Sequence, residues 1–399
     1  MRRVVRVRTG GVIAPWGDPV GSTRVLGVPL ATRQERALAR IGLAFHGEMD
    51  ADEAAATPPV AGELRWDDDV DVTPRALRAF LRAAGTEGGH LCVVERPRRV
   101  GELEVEPPGT PDAGESTRRV GIRVGPGPRD VLVPPRGFGG TYKATGPFRS
   151  ETAWWMTDRS ATTVRHWSHV LRANLAALPA AFSDELLRAP WRVAWTWARA
   201  PLRAGGGRLA VVGRRCRIHP TARLEMCLLG DDVEVGAYSV LRGCVLGDGA
   251  RVEDHVSARG AVVGPGAHLG NYSLFNVSVL GARSSISHIG AQASVIGDDT
   301  FVASFACLLD LNLSGTIRVP FEGRMADTGT PFLGCAVGHR VRIGAGTWVA
   351  QGRAVPNDVT LVAPPSTVLG RVPAEVPPGV YSVADGRLSP VTARGATGT

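Results

Sequence analysis

From Arg208 onward the chain places an aliphatic or aromatic residue about every sixth position. The series runs Ile218, Leu224, Leu229, Val235, Leu241, Leu246, Val252, then Val263, Leu269, Phe275, then Ile289, Ile296, Val302, Leu308, and finally Val337, Ile343, Val349. Glycine often follows the apolar residue, as in LGDDVE, VGAYSV, LGDGAR, VGPGAH and IGAGTW. Such a period predicts a triangular coil in which each six residues form one flat side and the aliphatic points inward. Small residues suit its sharp corners, where glycine tolerates positive φ. Neighbouring turns of the coil then pair as parallel strands about 4.8 Å apart, and a run this long is the mark of a repeat architecture. The pattern therefore predicts a left-handed parallel β-helix of hexapeptide repeats over residues 206–372, with register slips at Leu246 and Leu280. Residues 309–335 break the period, and Leu309 to Leu333 should leave the coil as a loop.

Upstream the periods differ. Val4 to Val7 alternate as a strand, residues 31–43 carry helical spacing through Ala37, Leu38 and Ile41, and Pro74 to Ala84 form a helix after the N-cap residue Thr73. His90 to Glu95 is a short apolar strand, and the proline- and glycine-rich residues 101–150 predict loops and extended segments. Residues 1–150 thus form an α/β domain. Residues 151–205 form a helical connector of two helices: one with Val164, Trp167, Leu171, Leu175 and Leu178 on one face and Pro179 at its end, and one capped by Ser183. The second helix, with Trp191, Trp195, Trp197, Arg192 and Arg199, fits either packing against a neighbouring domain or peripheral contact with a membrane surface. Residues 373–399 form a tail.

Composition narrows the function. At 44% hydrophobic the chain is globular, and its net charge of +8 is arginine scattered along 399 residues, with Lys143 the single lysine. No basic stripe with interleaved aromatics appears, so no nucleic-acid partner is expected. The cysteines Cys92, Cys216, Cys227, Cys244, Cys307 and Cys335 form no CxxC pair and read as small buried hydrophobes. No apolar run reaches the length of a transmembrane helix or a signal peptide, which leaves a cytoplasmic location.

Three stretches carry a family resemblance: GNYSLFNVSVLGARSSISH (270–288), ASVIGDDTFVASFACLLDLNL (293–313) and VPFEGRMADTGTPFLGCAVGHRVRIGAGTWVAQG (319–352). They resemble the acyltransferase half of bifunctional sugar-1-phosphate nucleotidyltransferases, the N-acetylglucosamine-1-phosphate uridyltransferase-like group. The resemblance implies a homotrimer with an acyl-CoA co-substrate, acetyl-CoA by family habit. It also implies His288 as the general base that deprotonates a sugar amine, a role suited to imidazole. Asn276 stands where the family has a lysine, and Asp310, Asn312 and Arg324 fall around the acceptor or the coenzyme. A zinc-dependent carbonic anhydrase of similar fold would need paired histidine ligands such as HxxxxH, and none occurs.

Residues 1–100 resemble the family's other half more faintly. VLGVPLATRQERALARIGL (25–43) resembles the turn leading into its first helix, and RWDDDVDVTPRALRAFL (65–81) the strand whose carboxylate holds Mg²⁺. This resemblance implies nucleotide binding by Gly10, Gly11 and Arg24 within TGGVIAPWGDPVGSTR and a metal on Asp68 or Asp69. His166 and His169 stand three apart on one helix, suited to interdomain hydrogen bonds or a shared ligand. The leading expectation is acyl-CoA-dependent acyl transfer to a sugar or sugar phosphate at the coil. The alternatives are nucleotidyl transfer by the amino-terminal domain, with a sugar phosphate or nucleotide sugar as ligand, and a non-catalytic trimeric scaffold in polysaccharide assembly.

Overall fold

The structure, a computed structural model, describes residues 3–94, 117–134, 137–143, 151–188, 190–191, 194, 209–288, 290–364, 375–378 and 381–390. Ile289, Arg192, Trp195, Trp197 and Arg199 lie outside them.

Residues 209–364 wind as a parallel, three-sided β-helix-like coil. One side stacks Leu224, Leu241, Ala258, Phe275 and Ala291 in register. The next stacks Leu229, Leu246, Val263, Leu280, Ile296, Val337 and Val355. The third stacks Ile218, Val235, Val252, Leu269, Ile286, Val302, Ile343 and Leu361. All but Ile218 and Leu361 are buried in one continuous core. Full burial of each large aliphatic contributes about 1.5–3 kcal/mol.

The slips expected at Leu246 and Leu280 are not local. Partners on adjacent turns lie 17 residues apart over much of the coil, because the side ending in the Leu229–Leu246–Val263–Leu280 column is one residue short on every turn. The glycine after the aliphatic also has a different cause from the one expected. It does not sit at positive φ; a Cβ on Gly247 would fall 2.6 Å from the Pro265 nitrogen of the next turn. Close approach of the backbones selects glycine there, and positive φ falls at separate corners, such as Asp232, Tyr238, His255, Tyr272 and His288.

The amino-terminal part is built on a six-stranded mixed sheet. Its strands are β1 (Val4–Arg8), β2 (Gly47–Asp50), β3 (Leu64–Asp67), β4 (Gly89–Val94), β5 (Thr117–Val124) and β6 (Asp130–Val133), in the order β6-β4-β5-β3-β1-β2. Only β5 runs against its neighbours. Helices α1 (Leu30–Ala39), α2 (Ala51–Ala56) and α3 (Pro74–Ala84) accompany it. Thr73 starts α3 without a side-chain cap; its hydroxyl donates to the Asp158 carbonyl instead. Among the loops and extended segments expected after residue 101, β5 and β6 are extended segments paired into the sheet. There Val120, Ile122, Val124, Val131 and Val133 are buried, and their alternation outweighs the surrounding prolines and glycines.

The connector also differs. A single helix, α4 (Trp167–Arg188), runs through Pro179. Proline removes one backbone donor and normally breaks a helix. Here Ala180 and Phe182 beyond it remain buried, and tertiary packing holds the helix together. Ser183 is interior to α4 and donates to the Ala180 carbonyl rather than capping. No described helix is long and apolar enough to cross a membrane.

The expected loop at 309–335 contains a hairpin, β7 (Arg318–Phe321) and β8 (Arg324–Asp327). Ile317, Val319 and Phe321 share a core with Ile13, Trp16, Val20, Val25, Leu30 and the α4 residues Trp167, Val170 and Leu171. The two halves are therefore fused through a common apolar cluster. Trp16 adds a hydrogen bond from Nε1 to the Val337 carbonyl (2.9 Å), and its own carbonyl accepts from Asn357 Nδ2 (2.6 Å).

Candidate functional site

Strands β1 and β3 are parallel neighbours, so their carboxyl ends open side by side, where open sheets of this kind place ligands. A cavity of about 750 Å³ lies there. Its floor is Val7, Thr9, Gly11, Asp67 and Asp69; α2, His90, Gly121 and Arg123 flank it; Val164 to His166 and Pro320 to Glu322 close it. The last three residues come from the hairpin of the coil. The cavity is thus walled by both halves of the chain.

The three consecutive aspartates have separate tasks. Asp68 Oδ1 accepts from the Thr9 amide (2.9 Å) and the Thr9 hydroxyl (2.7 Å), tying together the turns that leave β1 and β3. Asp69 is 2% exposed; its Oδ2 accepts from Arg165 Nε at 2.7 Å, while Oδ1 is buried without a protein partner. Asp67 is pushed up to about 7, first by burial and then by the neighbouring Asp69 charge, against the pull of Arg165 and Arg123. Burial also raises Asp69, opposed by Arg165. Two carboxyls that resist ionisation share one cavity, an arrangement relieved by a bound cation.

The surrounding groups sharpen this asymmetry. Burial drives His166 down to about 4, so it is neutral at physiological pH and offers no positive charge. His90 is lowered by burial and by Arg119 and Arg123. The permanent cations are Arg123, which also donates to the Ala54 carbonyl (2.7 Å), and Arg165. Gly10, at φ 68, turns the chain out of β1 so that the Gly11 backbone lines the cavity.

Asp67 and Asp69 carry the hard oxygens that Mg²⁺ prefers, and Asp69 Oδ1 is buried with no hydrogen-bond partner. No group of three or more His, Cys, Asp or Glu among the described residues could hold a metal. These two carboxylates fit Mg²⁺ only in the mode where water and substrate phosphate complete the shell. A Cβ on Gly121 would stand 2.0 Å from Asp67 Oδ2 and 2.8 Å from Asp67 Cβ. Gly121→Ala must therefore displace the Asp67 carboxylate, and any reaction that uses this carboxylate should slow at least tenfold, on the order of the loss from misplacing a reacting group. An unchanged rate in a folded variant would show that Asp67 takes no part.

Gly10, Gly11, Asp68 and Asp69 come together here, whereas Arg24 does not. Its segment folds over the coil, and Arg24 Nη1 pairs with Asp298 Oδ2 at 2.7 Å. On the coil His288 is an exposed corner residue at φ 49, with its ring 5.5 Å from both Tyr272 and Phe305. It belongs to an edge ladder that continues through His255 to Tyr238. Asn276 Nδ2 donates to Gln292 Oε1 (3.3 Å) and Gln292 Nε2 to Asp310 Oδ2 (2.8 Å), and burial raises Asp310. Asn312 is spent on its own turn, accepting from Ser314 and donating to the Thr316 carbonyl. Arg324 lies exposed on the hairpin.

Sequence reasoning missed Asp67, Arg123, Arg165 and Glu322. Asp67 was findable as the acid that ends an apolar strand, since Leu64 and Trp66 precede it. The others reach the cavity from distant segments with no local signal. The chain matches no protein-family model and no curated protein.

Proposed function

We propose that the chain is a transferase of the sugar-nucleotide type whose reactive site is this two-walled cavity, and that its reaction is nucleotidyl transfer from a nucleoside triphosphate to a sugar 1-phosphate. The single observation that carries this is the pair of cavity carboxyls, Asp67 at the end of β3 and Asp69 in the turn after it, beside Arg123 and Arg165. Asp67 and Asp69 would hold Mg²⁺, which supplies charge neutralisation for the triphosphate. The Gly10–Gly11 turn gives backbone approach to phosphate oxygens, and Arg165 and Arg123 balance their charge. The sugar phosphate oxygen forms a bond to the α-phosphorus as the bond to the departing pyrophosphate breaks. An ionised phosphate nucleophile has no proton to lose, so no general base is required.

In this reading the coil winds left-handed and trimerises, and the protein works in the cytoplasm. Mixing purified protein with Mg²⁺, each nucleoside triphosphate and a panel of sugar 1-phosphates should release pyrophosphate. Absence of release across the whole panel, with Mg²⁺ and with Mn²⁺ alike, would reject the assignment.

A second reading, acyl transfer from acetyl-CoA with His288 as base, is favoured by the exposure of His288 and by the Asn276–Gln292–Asp310 ladder on the coil. His288→Ala separates the two. Nucleotidyl transfer should stay within about twofold of wild type, whereas a catalytic base would cost roughly a hundredfold or more in coenzyme A release.

A further inference from the structure

The hairpin of the coil does more than fill the interdomain core. Phe321 pairs with Arg324 across the tip, and the two residues between them, Glu322 and Gly323, have φ of 47 and 77. Two-residue turns of this kind favour Asn-Gly, and a glutamate at the first position is disfavoured. Disfavoured backbone is retained where something else profits from it. Here the tip directs Pro320, Phe321 and Glu322 into the wall of the cavity opposite Gly11 and Asp67. Glu322 is exposed, Phe321 is 6% exposed, and the Phe321 ring is braced edge-on by His166 at 5.7 Å and His169 at 6.2 Å. Arg165 lies between the acidic groups, bonded to Asp69 and electrostatically coupled to Glu322.

We infer that Glu322, seated beside Phe321, is the specificity-determining residue for the sugar of the substrate, accepting hydrogen bonds from two ring hydroxyls. This rests on the nucleotidyl-transfer reading of the same cavity. A carboxylate repels phosphate, so the phosphates belong at the Gly10–Gly11 and Arg123 side and an uncharged, hydroxyl-rich ring at the hairpin side, where Glu322 faces Arg165. A carboxylate accepts from neighbouring hydroxyls with charge-assisted strength, and the buried Phe321 beside it fixes the place of the hairpin tip. The coil thereby helps choose the acceptor for a reaction carried out by the other half.

The test is Glu322→Gln in the full chain. The exposed side chain makes loss of the fold a minor concern, and Glu322→Asp, with the charge kept but the reach shortened, serves as the second variant. For a hexose 1-phosphate, KM in Glu322→Gln should rise about tenfold or more, the size expected when a charged hydrogen bond is weakened. KM for the triphosphate and kcat should stay within about twofold, with partial recovery in Glu322→Asp. An unchanged sugar KM, or a rise in the triphosphate KM instead, overturns the inference while leaving nucleotidyl transfer intact. Direct calorimetric titration with hexose 1-phosphates isolates the other failure. If wild type binds them, Glu322→Gln weakens that binding and no pyrophosphate is ever released, the transfer reading falls and the hairpin role stands. If wild type binds none of them, the hairpin role is overturned.

Discussion

Replacing Asp67 with asparagine should lower pyrophosphate-forming turnover by about a hundredfold or more, the loss of roughly 2.7 kcal/mol of transition-state stabilisation. The same substitution should stabilise the metal-free fold at alkaline pH. Burial and the Asp69 charge move Asp67 from 3.8 to about 7, so the folded chain holds this proton more tightly than the unfolded chain. That contribution is fully present below about pH 4 and disappears as pH rises through about 7. Above it, an ionised Asp67 costs the fold on the order of 4 kcal/mol. The amide that replaces the carboxyl in Asp67→Asn has no such proton to lose. Thermal melts without metal should therefore show the variant above wild type at pH 8, with the gap narrowing as pH falls and closed only near pH 4. Added Mg²⁺ should raise the wild-type melting temperature at pH 8 far more than that of the variant. Parallel melting curves at both pH values would show that Asp67 ionises freely, and its place in the cavity chemistry would be lost.

Trp16→Ala should cost about 3–5 kcal/mol, the range for emptying a large aromatic from a core. Trp16 is 7% exposed in the cluster shared by both halves, and its Nε1 donates to the Val337 carbonyl. The substitution opens a void at the junction. Ile13, Val20, Val25 and Leu30 would still touch the hairpin core, together with the Asp18–His339 hydrogen bond (3.0 Å) and the partly exposed Arg24–Asp298 ion pair (2.7 Å), which contributes little. Calorimetry should show the variant melting at lower temperature, with the amino-terminal part separating from the coil as its own transition. A single transition at the wild-type temperature would mean that the junction is held elsewhere. Within GGVIAPWGDP, Ile13 and Trp16 are the grip of one half on the other.

The coil was legible because its core follows a local period: one inward apolar residue per side makes each column visible in the sequence. Its true pitch was not, since a side one residue short looks like an isolated slip until turns are aligned in space. Helix α3 was legible from Thr73 and Pro74 at its start, while α4 was cut at Pro179 because propensity ignores the apolar contacts of Ala180 and Phe182. The cavity was half visible. Gly10, Gly11 and the aspartate run are local features, and the run places acids at a strand end. Which acid faces inward depends on Thr9 capturing Asp68 and Arg165 capturing Asp69, contacts between residues far apart in the chain. Nothing in the repeat interruption disclosed that Phe321 and Glu322 reach the other half.

That reach has a consequence for the nascent chain. The ribosome releases β1 and β3 before the coil, yet the residues that form the pocket's second wall, 320–322, emerge only after most described turns of the coil have been made. A protein still being translated offers an open trough with its acids in contact with water. The second wall is added only when the hairpin has been made.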